Sequence, residues 1–512
     1  MCNVKKCFRS VFVLSLLSIT TFVFADQYKI NDVKYDIDGI TTQFALERAV
    51  LVDYETVFET KLEIDTYINE LATNLNNLRV LEFAEIFPLF KQSENGIVPV
   101  DLIINVKDSI NFIAFPMPKY DSTSGFSFKL DSKDYNFLGT MKTFDAELYY
   151  ELDFKDEDNP TSKDEHTFGV YGSYSYPFSI GKVNSAWNNI FRFDYTVGED
   201  VPSVGYSTGL SFRYKLTSLL ALNASITQGM DYGSNYKIYG DQFYFTESAS
   251  FSLPVTLVKT SSFGTISWTP SVSTSYYWDI NGIDPNNVSL YKPTLGFGHS
   301  FSLGQTNWVA NFKDGFTFSF SQNLSHNFYT NNFSSTNNFT MQYFKAFEYF
   351  GLKSRVKLFQ TENTSSSYDA SLRGVYGSGV SSYGGLTLNI DLPINVWETD
   401  WVGYGFWSWM RYVDFEMQIS PFLDIALGHN GKTGTILEFE DGLYAGGFEI
   451  IGFPKKFRSV QGRISFGVDL VNFTSNIGEN VDFADKVVNK LFNTSWRTDN
   501  WYELSIGIGL FY

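Results

Sequence analysis

From about residue 122 to the C-terminus, apolar and polar side chains alternate in runs separated by Gly, Asn, Ser and Asp. The alternation is clearest in residues 126–131, 144–149, 210–215 and 386–391. A period of two places successive side chains on opposite faces, so each run predicts an antiparallel strand with one apolar and one polar face. Roughly sixteen such runs occur, many near the ten or so residues that a tilted strand needs to cross a bilayer.

Two all-β architectures fit this alternation, a transmembrane barrel and a water-soluble sandwich or β-helix. Soluble folds place turns every 8–12 residues or so, whereas the turn spacing here is wider. Several runs also end in aromatic clusters, such as 276–278 and 401–409, which are typical of interfacial girdles. The pattern favours a mainly β protein with an antiparallel transmembrane barrel of about 16 strands over residues 111–512. The polar stretch Gln322 to Asn338 is interpreted as a long exposed loop.

Residues 26–110 have a different character and predict a small α+β unit. Residues 28–37 alternate as a half-buried strand, and Thr41 or Thr42 could cap a short helix after it. A second helix is indicated by an apolar stripe at three- and four-residue spacing. The stripe consists of Ile64, Ile68, Leu71, Leu75 and Leu78. Two β-rich runs follow, so the predicted order is strand, helix, helix, strand, strand. A generic small α+β domain would show the same pattern.

The first 25 residues match a secretory signal peptide. Lys5, Lys6 and Arg9 precede an apolar segment from Val11 to Phe24, and Ala25 fits the small-residue cleavage rule. We expect cleavage before Asp26, with an uncleaved anchor as the alternative. Both cysteines lie in this segment, so the rest of the chain has no disulfide and no cysteine metal site.

Composition excludes several classes of function. The chain has 56 acidic and 38 basic residues, with a formal charge of -18, which disfavours nucleic acid as a partner. The four histidines show no metal-ligand spacing, and no nucleophile elbow, phosphate loop or dinucleotide fingerprint is present. His299 with Ser300 or Ser302 is the one thinkable hydrolase pair. We therefore expect no enzyme activity, no metal and no cofactor.

Together the two halves resemble the outer-membrane BamA/TamA-type family, in which a polypeptide-transport-associated (POTRA) domain precedes a bacterial surface antigen β-barrel. The most specific match begins at Asp134 and resembles the family's Asp/Asn-Phe-Leu-Gly sequence at the first barrel hairpin. This barrel-start motif comprises Asp134, Asn136, Phe137, Leu138 and Gly139. The resemblance implies a bacterial outer-membrane location with the N-terminal domain in the periplasm.

A second match concerns a loop that folds back into the barrel lumen. Residues 372–375 resemble the family's Arg-Gly loop motif, with Val375 where an aromatic residue is usual. Residues 421–424 resemble the strand that supplies a lumenal acid. An arginine in an enclosed lumen needs a carboxylate, so we expect Arg373 to meet Asp424 and Gly374 to permit a tight turn. The alternative is a solvated arginine on a mobile loop.

The C-terminus carries an amphipathic strand with an aromatic last residue, which is typical of bacterial outer-membrane barrels. Its apolar face is Leu504, Ile506, Ile508, Leu510 and Tyr512. We expect this strand to pair with a first strand at 125–130 to close the barrel. Gly507 and Gly509 weaken the last strand, because glycine has no side chain to pack.

The resemblance implies an insertase or translocator that receives unfolded client polypeptides on its periplasmic domain and assists their insertion into, or passage across, the outer membrane. Implied partners are outer-membrane lipid, client chains, and periplasmic chaperones or accessory lipoproteins. One POTRA-like unit favours a specialised or accessory member over the central insertase. The alternative is a passive outer-membrane pore or surface antigen with the same architecture.

Overall fold

The structure is a computed structural model, and it describes most of the chain from residue 27 onward. The described residues are 27–93, 96–121, 125–153, 165–233, 243–260, 264–278, 293–328, 330–362, 366–367, 372–375, 381–429, 434–478, 492 and 501–508. The expected signal peptide, residues 1–25, lies outside them. The chain divides into two compact units, residues 1–107 and 108–512, whereas the sequence suggested a boundary after residue 110.

The first unit is an α+β domain. Its elements are β1 (Gln27–Asp38), α1 (Gln43–Ala49), β2 (Val57–Phe58), α2 (Lys61–Asn77), β3 (Leu81–Phe90) and β4 (Ile97–Asp108). The sheet order is β2-β1-β4-β3, with β1 parallel to β4. The predicted order of strand, helix, helix, strand, strand is present. The two-residue strand β2 is additional, because so short a segment has no periodicity to detect.

Capping and one apolar stripe define the two helices. Thr42 caps α1 by accepting from the Ala45 N–H, and Thr60 caps α2 by accepting from the Glu63 N–H, each at 3.2 Å. The buried residues of α2 are Ile64, Ile68, Leu71 and Leu75, four of the five predicted stripe residues. Over the part of the chain that the structure describes, no helix is long and apolar enough to cross a membrane.

The second unit is one large antiparallel sheet. Its strands are β5 (Phe112–Asp121), β6 (Gly125–Asp134), β7 (Phe144–Asp153), β8 (Glu165–Ile180), β9 (Val183–Thr196), β10 (Ser203–Lys215), β11 (Ala221–Tyr232), β12 (Phe243–Ser252), β13 (Val255–Thr260), β14 (Gly264–Trp278), β15 (Thr294–Val309), β16 (Phe312–Asn327), β17 (Asn332–Ala346), β18 (Gly351–Glu362), β21 (Gly384–Asp391), β22 (Ile394–Glu398), β23 (Phe415–Gly428), β24 (Leu443–Pro454), β25 (Gly462–Asp469) and β26 (Tyr502–Ile508). The short strands β19 (Ser366–Ser367) and β20 (Ser381–Ser382) pair separately, α3 spans Leu470–Gly478, and 3-10 helices span Phe137–Gly139 and Ser408–Val413.

Twenty strand segments form this sheet in the described residues, so the expected number of about sixteen was wrong. Two runs are each broken by a Leu-Pro pair, Leu253-Pro254 between β12 and β13 and Leu392-Pro393 between β21 and β22. Proline cannot donate to a strand ladder. In each case both pieces pair with the same following strand, β14 or β23.

The strand order closes on itself, with β26 next to β5. The expectation that residues 125–130 form the first strand was wrong, since they belong to β6. The sequence analysis missed β5 because it contains Pro116 and Pro118, and proline is unusual within a sheet except at an edge. At the end of the barrel where β5 begins, which we call the proximal end, the Ile110 N–H donates to the Lys456 carbonyl at 3.1 Å. This bond links the start of β5 to the β24–β25 turn.

The barrel is apolar outside and polar inside. Outward side chains in mid-strand are large and exposed: Leu148 is 52% exposed, Ile226 61%, Phe297 54% and Leu504 58%. Inward positions in β21, β23 and β24 include buried polar residues such as Asn389, Ser420 and Glu449. This is the reverse of a water-soluble protein and suits a hydrocarbon surrounding with a wet interior.

The polar stretch from Gln322 to Asn338 is not a long loop, and that expectation was wrong. It comprises the end of β16, a short turn and the start of β17. Polar side chains hydrogen-bond directly across the strand pair, Ser325 to Ser334 at 2.5 Å and Gln322 to Asn337 at 2.9 Å. Such cross-strand pairs stabilise the polar ends of these two strands, so polarity alone misled the interpretation.

The exposed apolar exterior generates a first prediction. We expect Ile226→Lys, in the middle of β11, to destabilise the barrel in lipid bilayers by about 2–4 kcal/mol, because a charge near the bilayer midplane loses its hydration. Denaturant titration of the folded barrel in vesicles measures the effect, and Ile226→Met is the matched control. An unchanged midpoint for the lysine variant contradicts a lipid-facing position.

Candidate functional site

The loop between β18 and β21 places Arg373 against the inner wall of the barrel. The Arg373 guanidinium forms a bidentate ion pair with Asp424 of β23: Nε donates to Oδ2 at 2.9 Å and Nη2 to Oδ1 at 2.7 Å. The Arg373 backbone N–H donates to the same carboxylate at 3.0 Å. Arg373 is 3% exposed and Asp424 is fully buried. The structure therefore brings together the two residues that the sequence analysis paired.

Further charges complete the cluster. Arg373 Nη1 lies 2.6 Å from Asp391 Oδ1 and 3.3 Å from Glu449 Oε1. Arg463 makes a second ion pair with Glu449 at 3.0 Å. The buried Lys353 stands opposite Asp391 in the β18–β21 register. The guanidinium carbon of Arg373 also lies 3.8 Å from the ring centre of Phe422. Three cations thus face three carboxylates.

This pairing fixes the protonation state of the loop arginine. Burial on its own disfavours the cation, but the hydrogen bonds to Asp424 and the charges of Asp391 and Glu449 outweigh burial and raise the pKa of Arg373. The arginine is therefore charged at any physiological pH. A buried charge without a partner is costly, so removal of one member of such a cluster costs far more than an exposed ion pair is worth.

Gly374 lets the loop approach the wall closely. Its φ is +85°, and a Cβ there would lie 2.5 Å from the carbonyl carbon of Gly467 in β25. A side chain at Gly467 would in turn meet the Gly374 backbone at 2.7 Å. The Gly374 N–H donates to Glu503 of β26 at 2.9 Å. Two glycines facing each other thus permit a backbone contact that reaches the last strand.

Apolar residues on either side of the Arg-Gly pair anchor the loop as well. Leu372 and Val375 are buried in one hydrophobic cluster. Its other members are Phe359, Ala426, Leu443 and Ala445. Val375, where the sequence analysis noted the lack of an aromatic residue, therefore lies in this cluster. The described loop segment contacts β21, β23, β24, β25 and β26, which form one continuous side of the barrel.

The sequence analysis missed three acidic partners, Asp391, Glu449 and Glu503. The first two occupy inward positions on their strands, on the same face as Asn389 in β21 and Ala445 in β24. One signal was available in the sequence. Glu449 is the single acidic residue of β24, an otherwise apolar strand, and it lies at an inward-facing position. Alternation identifies such positions, but it cannot show which acids share one level inside the barrel.

The barrel-start motif forms the turn between β6 and β7, after the second strand of the barrel. Asn136 is fully buried, and its side chain accepts from the Met141 N–H at 2.9 Å and donates to Asp108 at 3.2 Å. Asp134 accepts from the Asn136 N–H at 2.9 Å, and the Phe137 ring stacks on Phe144. Leu138 and Gly139 adopt positive φ angles of 55° and 68°. The motif thus ties this turn to the segment leading into β5.

The predicted C-terminal strand is described only in part. Leu504 and Ile506 point outward on β26, with 58% and 41% exposure. Ile508 ends the described strand, and Leu510 and Tyr512 lie outside the described residues. Elsewhere, His299 shares a hydrogen bond with Gln322 at 3.1 Å. Within the described ranges, no group of three or more His, Cys, Asp or Glu residues could hold a metal ion.

Comparison with solved structures finds large outer-membrane proteins of low similarity. CdiB from Acinetobacter baumannii has a TM-score of 0.45 and 10% identity, over 94% of this chain and 74% of that chain. CdiB from Escherichia coli has a TM-score of 0.40 and 8% identity, over 96% and 92%. BamA from Haemophilus ducreyi lacking POTRA domains 1–3 has a TM-score of 0.39 and 12% identity, over 94% and 85%. No protein-family model and no curated protein matches the sequence.

The buried cluster predicts that Arg373 controls opening of the loop. We expect Arg373→Met to lower the free energy of local opening by about 3–5 kcal/mol, because it leaves Asp391 and Asp424 buried without their partner. Hydrogen exchange at residues 372–375 in the folded barrel measures this opening. The double variant Arg373→Met/Asp424→Asn should recover part of the protection. Equal protection in the wild type and Arg373→Met contradicts the assignment.

Gly374 gives an independent prediction. We expect Gly374→Ala to displace the loop from β25, since the new Cβ overlaps the Gly467 backbone and the φ angle disfavours alanine. Protease cleavage within the loop should become faster, with the barrel itself intact. Gly434→Ala, at a positive φ with open space around it, is the control for backbone strain alone. Unchanged cleavage in Gly374→Ala argues against the close approach.

Proposed function

We propose that the protein is a non-enzymatic outer-membrane barrel of the insertase or translocator type, with its N-terminal unit in the periplasm. Its partners are outer-membrane lipid, unfolded client polypeptides, and periplasmic chaperones or accessory lipoproteins. The N-terminal unit receives a client chain, and the barrel assists its insertion into, or passage across, the membrane. The proposal follows the resemblance to the BamA/TamA-type family and draws on four structural features.

The first feature is the exterior of the barrel. Its outward side chains are apolar over many consecutive strands, and its interior carries buried charges. An apolar surface of this extent on a soluble monomer would drive aggregation, whereas in a bilayer it is the expected lipid contact. The closed strand order leaves the backbone hydrogen bonds paired within the sheet, which hydrocarbon requires.

The second feature carries the proposal: the lumen is occupied by structures that are fixed in place. The loop at Arg373 is held by buried ion pairs to three strands, β21, β23 and β24, and by a hydrogen bond from the Gly374 N–H to Glu503 of β26. The β15–β16 turn is also fixed to the inner wall: Asn311 donates to Glu416 of β23 at 2.9 Å, and its carbonyl accepts from Gln418 at 3.3 Å. A passive pore has no need of such fixed obstructions, while a translocator must keep its lumen closed at rest.

The third feature is the outer strand of the N-terminal sheet. β3 ends the sheet order, and Phe83, Phe87 and Leu89 are 42%, 47% and 51% exposed. An extended client can add to such an edge by main-chain pairing, and neighbouring apolar side chains then contact the client's own. This geometry suits unfolded polypeptides of varied sequence, because backbone pairing does not depend on the side chains.

The fourth feature is the β5–β26 seam. Pro116 and Pro118 have no backbone N–H, so β5 has two fewer hydrogen-bond donors. Gly507 has no side chain that could pack on the neighbouring strand. A strand pair that lacks such donors costs less to open than the same pair with all its hydrogen bonds. Opening exposes strand edges on which a client strand can pair, so the energy comes from the client's own pairing and burial.

Conductance of the purified barrel in planar bilayers tests the proposal. We expect the intact protein to show small or flickering conductance, and deletion of residues 366–382 to open it to a large, steady conductance. The deletion leaves β18 and β21 whole. Arg373→Met should give intermediate flickering, because it releases the loop without removing it.

The second candidate, a passive pore, gives the opposite result. The lumenal carboxylates favour cations in such a pore. A large, steady conductance in the intact protein that deletion leaves unchanged would rule out the insertase or translocator role. A folding control by heat-modifiable mobility on gels ensures that every variant compared forms the barrel.

A further inference from the structure

One turn at the proximal end of the barrel is much longer than its neighbours. Residues 399–414 connect β22 to β23, whereas residues 181–182, 216–220, 310–311, 347–350 and 455–461 form other connections there. Short turns are the rule at one end of outer-membrane barrels. This turn contains six aromatic residues and only three charged ones, Asp400, Arg411 and Asp414. We call it the aromatic turn.

The base of the aromatic turn is held by buried polar contacts. Thr399 and Asp414 are buried and hydrogen-bond to each other at 3.2 Å. Asp414 also accepts from the Trp401 N–H at 2.9 Å, and Lys455 donates to the Thr399 carbonyl at 2.6 Å. Phe415 and Thr399 exchange further bonds across the base. The turn is therefore a defined projection from the barrel wall.

Its aromatic side chains are exposed. Trp407 is 72% exposed, Tyr404 58%, Trp409 55% and Phe406 52%. The 3-10 helix Ser408–Val413 has no buried residue. Exposure of four large aromatic side chains in one turn is costly in water, because it leaves much apolar surface hydrated. A surface of this kind indicates a partner that covers it.

The aromatic turn is continuous with the outer face of the barrel. Trp397, at the end of β22, packs edge-to-face on Phe415 and on Trp401, with ring centres 5.4 and 6.2 Å apart. Trp401 in turn contacts Phe406 at 5.5 Å. Trp397 lies opposite Met417, which occupies an outward-facing position of β23. One line of touching aromatic rings therefore runs from the exterior wall into the turn.

The next turn along the barrel extends the same band. Phe347 and Phe350 stack with ring centres 4.5 Å apart, and Tyr349 is 65% exposed. Phe350 bridges to Ile394 of β22, and the Tyr349 carbonyl accepts from the Asn395 N–H. The aromatic side chains therefore span neighbouring connections at one level of the barrel, the proximal end.

The charges of the aromatic turn suit the surface of a bilayer. Asp400 accepts from the Gly403 N–H at 2.9 Å, and Asp414 is turned into the base. Arg411 is exposed, with its guanidinium 5.3 Å from the Tyr412 ring centre. Tryptophan and tyrosine favour the level of lipid headgroups, and an exposed arginine there can pair with lipid phosphate.

We propose that the aromatic turn inserts into the headgroup region of the bilayer leaflet at the proximal end and anchors this side of the barrel to it. The inference rests on the proposed membrane location and does not depend on the role in protein handling. Continuity with the lipid-facing wall favours lipid over a protein partner. A turn that binds a separate protein instead would remain in water in the purified barrel.

Site-specific fluorescence in vesicles tests this. Cys2 and Cys7 are replaced by serine, and an environment-sensitive nitrobenzoxadiazole label is attached at Trp407→Cys or Trp409→Cys. Leu148→Cys, in mid-strand on the exterior, is the hydrocarbon reference, and Glu70→Cys, exposed on α2, is the aqueous reference. Quenching is measured with phosphatidylcholine spin-labelled either at the headgroup or deep in the acyl chain, and with iodide in the aqueous phase.

The expected result is a blue-shifted emission at Trp407 and Trp409, with strong quenching by the headgroup spin label and weak quenching by the deep one. A label at Leu148 that is quenched by the deep probe, together with Trp407 and Trp409 labels quenched only by iodide, overturns the inference and leaves the membrane barrel standing. Loss of lipid quenching at Leu148 as well would overturn the membrane location itself.

Discussion

A guanidinium enclosed inside a barrel must find carboxylates within hydrogen-bond reach, and this requirement organises one whole side of the protein. Asp391, Asp424 and Glu449 lie on three different strands, and their inward positions converge on Arg373. No single strand could hold the loop in this way. The cluster exists only when those strands have their correct register, so the loop is also a check that the sheet has assembled correctly.

The same alternation that builds this interior builds the exterior. Each strand commits one face to the lumen and the other to the outside, so a shift of one residue would turn Asp424 outward and Leu423 inward. Prolines mark where this regularity is interrupted. Pro254 and Pro393 break runs in the wall, and Pro116 and Pro118 lie in β5 beside the seam. The aromatic turn follows one of these broken runs.

Much of this architecture could be predicted from the sequence, because its signal is local. The alternation of apolar and polar residues predicted the barrel strands, and the apolar stripe predicted α2 of the N-terminal unit. The Arg373–Asp424 pair was also within reach, since an enclosed cation needs an acid and the family resemblance pointed to Asp424. The identity of β5 was hidden by its prolines, and the polar ends of β16 and β17 looked like a loop. Asp391, Glu449 and Glu503 were missed because their proximity arises from the register of strands far apart in the sequence.

The hydrogen bond from Gly374 to Glu503 joins the lumenal loop to the last strand of the barrel. Two parts of a molecule that share a bond are thermodynamically linked, and linkage is reciprocal. Displacement of β26 weakens the binding of the loop to the barrel wall. Release of the loop lowers the free energy needed to displace β26 by the same amount. Opening of the lumenal loop and displacement of β26 are therefore coupled steps of one equilibrium.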